Sequence, residues 1–194
     1  LHAEHCLAAL EAGKHVVCTK PMVTRLEDAQ RLVALVRQTG RKFLVGQTMR
    51  FKDRYVAAKG LLDSGLIGDP VYVEASYVHD MRPVLRRTPW RRDPSAKLWL
   101  VGAACHPLDL AQWFAGEVAE VSAYANDGGT LADRAGQNNF VVNLRFRSGA
   151  IGRVLALFGI IQPPGSMDEL GLCCTRGSVL GMRYTVDGER EPVE

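Results

Sequence analysis

Two short stretches of this chain carry residue types able to move a proton. In the first, Lys14-His15-Val16-Val17-Cys18-Thr19-Lys20-Pro21, an apolar run ends in a lysine and a proline. A lysine at the end of a buried strand has its ammonium carried out of the apolar layer, and in open α/β sheets ligands sit outside the strands' carboxyl ends. Pro21 fixes the backbone and removes a donor, so the turn that aims Lys20 is stiff. The competing reading is a solvated lysine after a core strand. In the second stretch, His106 is followed by Pro107 and, three residues on, by Asp109. At a helix start these two side chains share a face, and a carboxylate there can orient an imidazole. The competing reading is a histidine capping the first turn beside a solvated aspartate.

The elements that must hold these groups are legible in part. Residues 1–12 read as a helix with Ala3, Leu7 and Leu10 on one face, ended by Gly13. Val16-Val17-Cys18 reads as a strand buried on both faces of a parallel sheet. Thr24-Arg25-Leu26-Glu27 has the form of a capping box, opening a helix with Leu26, Ala29, Val33 and Val36 at helical spacing and a stop at Gly40. Lys42 to Val45 is another short strand. This strand–helix–strand rhythm is half of a doubly wound nucleotide-binding domain. No Gly-x-Gly-x-x-Gly occurs in the sequence, so the turn that cradles a pyrophosphate is missing, and we expect a fragment that begins mid-domain.

A domain change is expected near residue 46. Asp53 is placed as the cap of a helix through Leu62. Val71–Val78 alternates as a half-buried strand, with Val71, Val73, Ala75 and Tyr77 on one face. Residues 80–98, rich in proline and arginine, read as a loop. Pro107 suits the first position of a helix through Phe114. Strand signals follow at Val118–Ala125, Phe140–Phe146, Ala150–Phe158, Glu169–Cys174 and Ser178–Tyr184, with a turn at Ser148-Gly149. The expected fold class is therefore α/β plus α+β: residues 1–46 as the later part of a Rossmann-like domain, and residues 47–194 as an open, mainly antiparallel sheet with helices on one face.

Composition narrows the function classes. The 194 residues are 47% hydrophobic and 23% charged, ordinary for a globular protein, and a net charge of +3 from 24 basic and 21 acidic residues implies neither nucleic acid nor membrane. The one basic cluster, Arg82 with Arg86, Arg87, Arg91 and Arg92, reads first as a solvated loop and second as an anion-binding edge. Five cysteines show no CxxC or zinc spacing. Cys6 and Cys18 read as core residues of a reducing compartment, and a cytoplasmic location is expected. His5 and His15 are assigned to structure, and no metal site is expected.

The run Leu7 to Pro21 closely resembles the "AL..GKHV..EKP" signature of the Gfo/Idh/MocA oxidoreductases. The likeness continues through Val45-Gly46-Gln47-Thr48-Met49-Arg50-Phe51, Trp90-Arg91-Arg92-Asp93-Pro94 and Cys105-His106-Pro107-Leu108-Asp109-Leu110-Ala111-Gln112-Trp113. Each piece alone is weak, and the ordered set is strong. The resemblance implies an NAD- or NADP-dependent enzyme that transfers a hydride to or from a secondary alcohol of a sugar, inositol or related polyol. It implies Lys20 and His106 as proton relay with Asp109 beside them. On the cofactor side it implies His2, Thr19, Lys20, Pro21, Gln47, Trp90 and Arg91. Near the substrate it implies Thr48, Arg50, His79, Asp80 and His106. It also implies a cis peptide at Pro21, a homo-oligomer formed through the open face of the sheet, and further family strands beyond Glu194.

Two positions depart from the pattern. The family usually has glutamate where this chain has Thr19, and aspartate four residues before the histidine, where this chain has Gly102. Gly102 has no proton to give, so Lys20 and His106 suffice, another acid such as Asp80 substitutes, or the protein has lost dehydrogenation. The alternative function is thus a non-catalytic ligand-binding or assembly protein. Glycoside cleavage begun by transient oxidation is a third.

Overall fold

In the N-terminal unit two helices close over one side of a small parallel sheet. A computed structural model of the chain describes residues 1–92, 99–131 and 136–188, and the chain forms two compact units, Leu1–Thr48 and Met49–Glu194. In the first, α1 (His2–Glu11) buries Cys6, Leu7 and Leu10. Strand β1 (Val16–Thr19) pairs in parallel with β2 (Phe43–Gly46), Val16 opposite Phe43 and Thr19 opposite Gly46. Val16 and Cys18 join the α1 residues and Leu32 of α2 (Leu26–Thr39) in one core. The strands are not buried on both faces as expected: Val17 and Leu44, paired in register, are 76% and 56% exposed.

The start of α2 also differs from expectation. Its N-cap residue is Arg25, with no side-chain capping bond, so the Thr24–Glu27 box is not formed; Glu27 instead pairs with Arg25 at 3.5 Å. The buried position is Leu32, while Leu26 and Val33 are exposed, so the core-facing stripe runs along Leu32, Leu35 and Val36 rather than through Leu26 and Val33. The helix ends as expected at Gly40, whose φ of +64° suits a residue without a Cβ. His15 Nδ1 accepts the Lys42 amide at 2.9 Å and so ties the two strand starts together, a structural role.

The second unit is a seven-stranded sheet with helices packed on one face. After a 3-10 turn at Thr48–Phe51 come α3 (Asp53–Asp63), β3 (Pro70–Val78), α4 (Arg82–Arg87), a π-helical turn at Trp99–Ala104 and α5 (Cys105–Ala115). The remaining strands are β4 (Val118–Asn126), β5 (Asn139–Phe146), β6 (Ile151–Leu157), β7 (Asp168–Cys174), β8 (Gly177–Leu180) and β9 (Arg183–Val186). The sheet order is β4-β5-β6-β3-β7-β8-β9. Neighbours are antiparallel except β3 and β6, which run parallel.

Alternation decides the faces. Val73 and Ala75 of β3, Val154 and Ala156 of β6, and Leu170 and Leu172 of β7 are buried in one core with Leu110 and Phe114 of α5. The other face carries Tyr72 and Glu74, with Glu74 held by Arg153 at 2.6 Å. Parallel β3 and β6 approach closely at Gly152, where a Cβ would stand 2.8 Å from the Val73 carbonyl oxygen.

Four local expectations are corrected. Helix α3 begins at Asp53 with Lys52 as its N-cap, so Asp53 is not the cap. Within the presumed loop, residues 82–87 are helical: Asp80 Oδ1 accepts the Arg82 amide at 3.0 Å, and Pro83 lies in the first turn, where its missing amide costs nothing. Helix α5 starts at Cys105, so Pro107 is its third residue. Ser178–Tyr184 is two strands joined by a turn at Gly181. Asp93, Pro94 and residues 96–98, which precede the π-helical turn, lie outside the described residues. Among the described residues no helix is long and apolar enough to cross a membrane.

Candidate active site

In the first unit, the parallel register places Thr19 beside Gly46, so Lys20 and Gln47 leave the sheet together at its carboxyl edge. The Lys20–Pro21 peptide is cis. Three contacts from two side chains tie this turn down. His2 Nδ1 lies 2.7 Å from the Pro21 carbonyl oxygen and can only be its donor, which puts the ring proton on that nitrogen. The Cys18 thiol donates to the carbonyls of Thr19 at 3.2 Å and of Met22 at 3.8 Å. Burial, then the hydrogen-bonded neighbour Cys6, pushes the Cys18 thiol up to about 11, so it stays a donor at neutral pH. His2, at the chain start, is thus fastened to the turn that carries Lys20.

The second unit assembles a separate group of side chains. His106, the second residue of α5, is 5% exposed. The Tyr77 ring, near the end of β3, stands at 87° to it with centroids 5.9 Å apart. Tyr77 also meets Phe158 edge-on at 5.7 Å, and Phe158 stacks on Trp99 at 5.9 Å. His79 follows two residues after Tyr77, its Nδ1 3.3 Å from the tyrosine oxygen. Burial lowers the His79 pKa against the opposing pull of Asp80, favouring the neutral ring.

One turn along α5 from His106, Asp109 is taken up by Arg50. Arg50 donates from Nε to Oδ2 and from Nη2 to Oδ1, both at 2.6 Å, and its guanidinium lies 5.3 Å from the Trp113 ring centroid. Asp109, expected beside His106, has both carboxylate oxygens accepting from Arg50. Through these contacts Arg50, expected near substrate, is tied to α5. Asp80 does not fit as a substitute acid either. Hydrogen bonds from Arg82 hold its carboxyl below the usual carboxylate range, so it is ionised at neutral pH and has no proton to donate. Trp90 is 58% exposed with the Arg91 guanidinium 4.7 Å from its ring centroid. Gly102 is buried within the π-helical turn.

Sequence reading missed two features. Tyr77 was placed on the core face of its strand but not beside His106, because that neighbour is distant in sequence. The other is Asp168, which accepts from Lys52, Arg54 and Tyr55 at 2.6–2.9 Å; its signal was only a charge at the start of a strand.

Both parts of the chain match known protein families. Residues 1–47 match the family described as "Oxidoreductase family, NAD-binding Rossmann fold", and residues 55–180 match its "GFO/IDH/MocA C-terminal domain". The chain belongs to the GFO/IDH/MocA oxidoreductase family. Among curated relatives, inositol 2-dehydrogenase 3 of Saccharopolyspora erythraea is 45% identical over 113 residues, 58% of this chain and 31% of that protein. A 1-carboxy-3-chloro-3,4-dihydroxycyclohexa-1,5-diene dehydrogenase of Comamonas testosteroni is 30% identical over 175 residues, 88% of this chain and 44% of that protein. This GFO/IDH/MocA chain therefore spans about half or less of these relatives. Among solved structures, levoglucosan dehydrogenase in complex with NADH superposes with a TM-score of 0.86 at 23% identity, over 98% of this chain and 55% of that one. At that identity the superposition establishes the fold: a Rossmann-like start followed by an open, mainly antiparallel sheet.

Proposed function

We propose that this chain is part of an NAD- or NADP-dependent dehydrogenase that interconverts a secondary alcohol and a ketone on a sugar, inositol or related polyol. The observation that carries the reading is Lys20, held by a fastened turn at the carboxyl edge of the parallel strands within the segment that matches an NAD-binding family. The relative named above for inositol supports the substrate class, and the match of residues 1–47 to an NAD-binding family supports the cofactor.

The residues present fit one end of a dinucleotide. Lys20, Thr19, Pro21 and Gln47 cluster at the carboxyl edge with His2 bound behind them, and Trp90 with Arg91 are assigned to the same cofactor. The bound nicotinamide would supply hydride uptake or release. The protein's own task is the hydroxyl proton, which suits groups whose proton affinity is tuned by their surroundings. Lys20 and His106 are assigned that task. Asp109 acts through Arg50 to hold α5, and Thr48, His79 and Asp80 are assigned to substrate hydroxyls, Asp80 as an acceptor.

We further propose a homo-oligomer formed through the open sheet face, where Tyr124, Ile151 and Leu180 are 81%, 54% and 67% exposed, and a cytoplasmic location. To test the reading, the complete protein of which this chain is part is supplied with NAD+ or NADP+ and a panel of polyols, and reduced-nicotinamide absorbance is followed. Turnover that disappears in Lys20→Ala supports it. No turnover on any polyol, or turnover unchanged in Lys20→Ala, overturns it.

A further inference from the structure

The end of strand β3 holds one half-buried aromatic side chain that lies against two imidazoles. Tyr77 stands perpendicular to His106 at 5.9 Å on one side and places its oxygen 3.3 Å from His79 Nδ1 on the other. Its own ring is fixed in turn, edge-on to Phe158 at 5.7 Å, and Phe158 is fully buried. The strand is central, paired through Tyr77 to Ala156 on one side and to Asp168 on the other, so Tyr77 cannot shift without disturbing two ladders. His106 by contrast sits where a π-helical turn passes into α5, a less regular support.

We propose that Tyr77 is a positioning residue that sets the ring orientation of both His106 and His79, so that one rigid sheet side chain aims two imidazoles. This rests on the reading of His106 as a proton-handling group. The contact with His106 is made by the ring, through the perpendicular geometry aromatic pairs prefer. The contact with His79 is made by the hydroxyl. A phenol donating to Nδ1 leaves the His79 proton on Nε2, where the ring can donate to a substrate oxygen. Burial first, with Asp168 and Cys105 against the opposing Arg91, keeps the phenol protonated. Asp80 is the charged group that faces His79. The two contacts use different parts of one side chain, so they can be removed one at a time.

The experiment compares Tyr77→Phe, which keeps the ring, with Tyr77→Leu, which does not. Imidazole nitrogen and carbon NMR signals of the protein are followed across pH, assigned with His79→Gln and His106→Gln. In Tyr77→Phe the His79 titration midpoint and its Nδ1 signal move while the His106 signals keep their position and width. In Tyr77→Leu the His106 ring signals also broaden or average. In turnover, Tyr77→Leu lowers kcat by about tenfold to a hundredfold, the range expected when a reacting group is misplaced. KM stays within about threefold, and Tyr77→Phe recovers most of the lost kcat. An unchanged His79 titration in Tyr77→Phe, or a Tyr77→Leu whose His106 signals and kcat match those of Tyr77→Phe, overturns the proposal. If Tyr77→Leu does not fold, the Tyr77→Phe titration decides alone. Absence of turnover in the complete, unmodified protein would overturn the dehydrogenase reading, while the NMR comparison would still decide the role of Tyr77.

Discussion

Arg50 holds Asp109 in a fork of two parallel hydrogen bonds, each 2.6 Å long, across 59 residues of sequence. The fork joins the turn after β2 to the first half of α5, and so braces the helix on which His106 sits. A planar guanidinium is needed for this geometry, since an ammonium offers only a point charge.

Arg50→Lys is therefore expected to behave more like Arg50→Ala than like the parent. A charge-assisted hydrogen bond contributes about 1.5–3 kcal/mol when well buried. With 37% of the Arg50 side chain exposed, solvent screening reduces the expected loss to about 1 kcal/mol. Urea unfolding midpoints of both variants check the size, and a double-mutant cycle with Asp109→Asn should return most of it as coupling between the pair.

Asp168 governs the acid limit. Burial pushes its carboxyl up, but hydrogen bonds from Lys52, Tyr55 and Arg54 together outweigh burial and hold it below the ordinary range. A carboxyl with a depressed folded pKa adds stability above its unfolded value, about 3.9, and loses it as pH falls through the folded value. Thermal melts should show stability falling below about pH 4. Asp168→Asn should flatten that fall and cost about 3 kcal/mol at neutral pH, because Lys52 and Arg54 lose their partner.

His79 gives the opposite test, of a base kept neutral. Burial lowers its pKa despite the nearby Asp80. The unfolded chain then binds the proton more readily, so stability drops as pH falls below the unfolded histidine value of about 6.5. His79→Gln should remove that part of the pH dependence, read from unfolding midpoints between neutral pH and the onset of the Asp168 limb.

Gly152 is a packing prediction. Its missing Cβ would meet the Val73 carbonyl and Val73 Cγ1, each at 2.8 Å, in the parallel β3–β6 pair. Backbone cannot step aside in a central strand, so Gly152→Ala should cost about 1–3 kcal/mol. Differential scanning calorimetry would show the lowered Tm.

What could be read from the chain alone follows the range of the interaction. Strands announced by alternation, such as β5 with buried Val142, Leu144 and Phe146, stood in the sequence because the period of two is local. Lys20 and His106 stand out as candidates because their neighbours in sequence carry the family pattern. Helix α4 was not legible, because Pro83 and its three arginines have loop composition. The β8–β9 hairpin was merged because Gly181 alone marks its turn. Arg50 with Asp109, Tyr77 with His106 and Asp168 with Lys52, Arg54 and Tyr55 were invisible, since each joins residues that only the tertiary fold brings together.

The place of β3 in the sheet has a consequence for how the chain is made. Tyr72 on this strand pairs with Ile151 on one side and Cys173 on the other. A ribosome delivers the chain from its amino end, so β3 emerges long before either partner exists, with Val73 and Ala75 not yet covered. Closing such distant pairs is slow. The central strand of the sheet is thus the one that waits longest, and the interval before β7 is synthesised is when this protein most needs protection from aggregation.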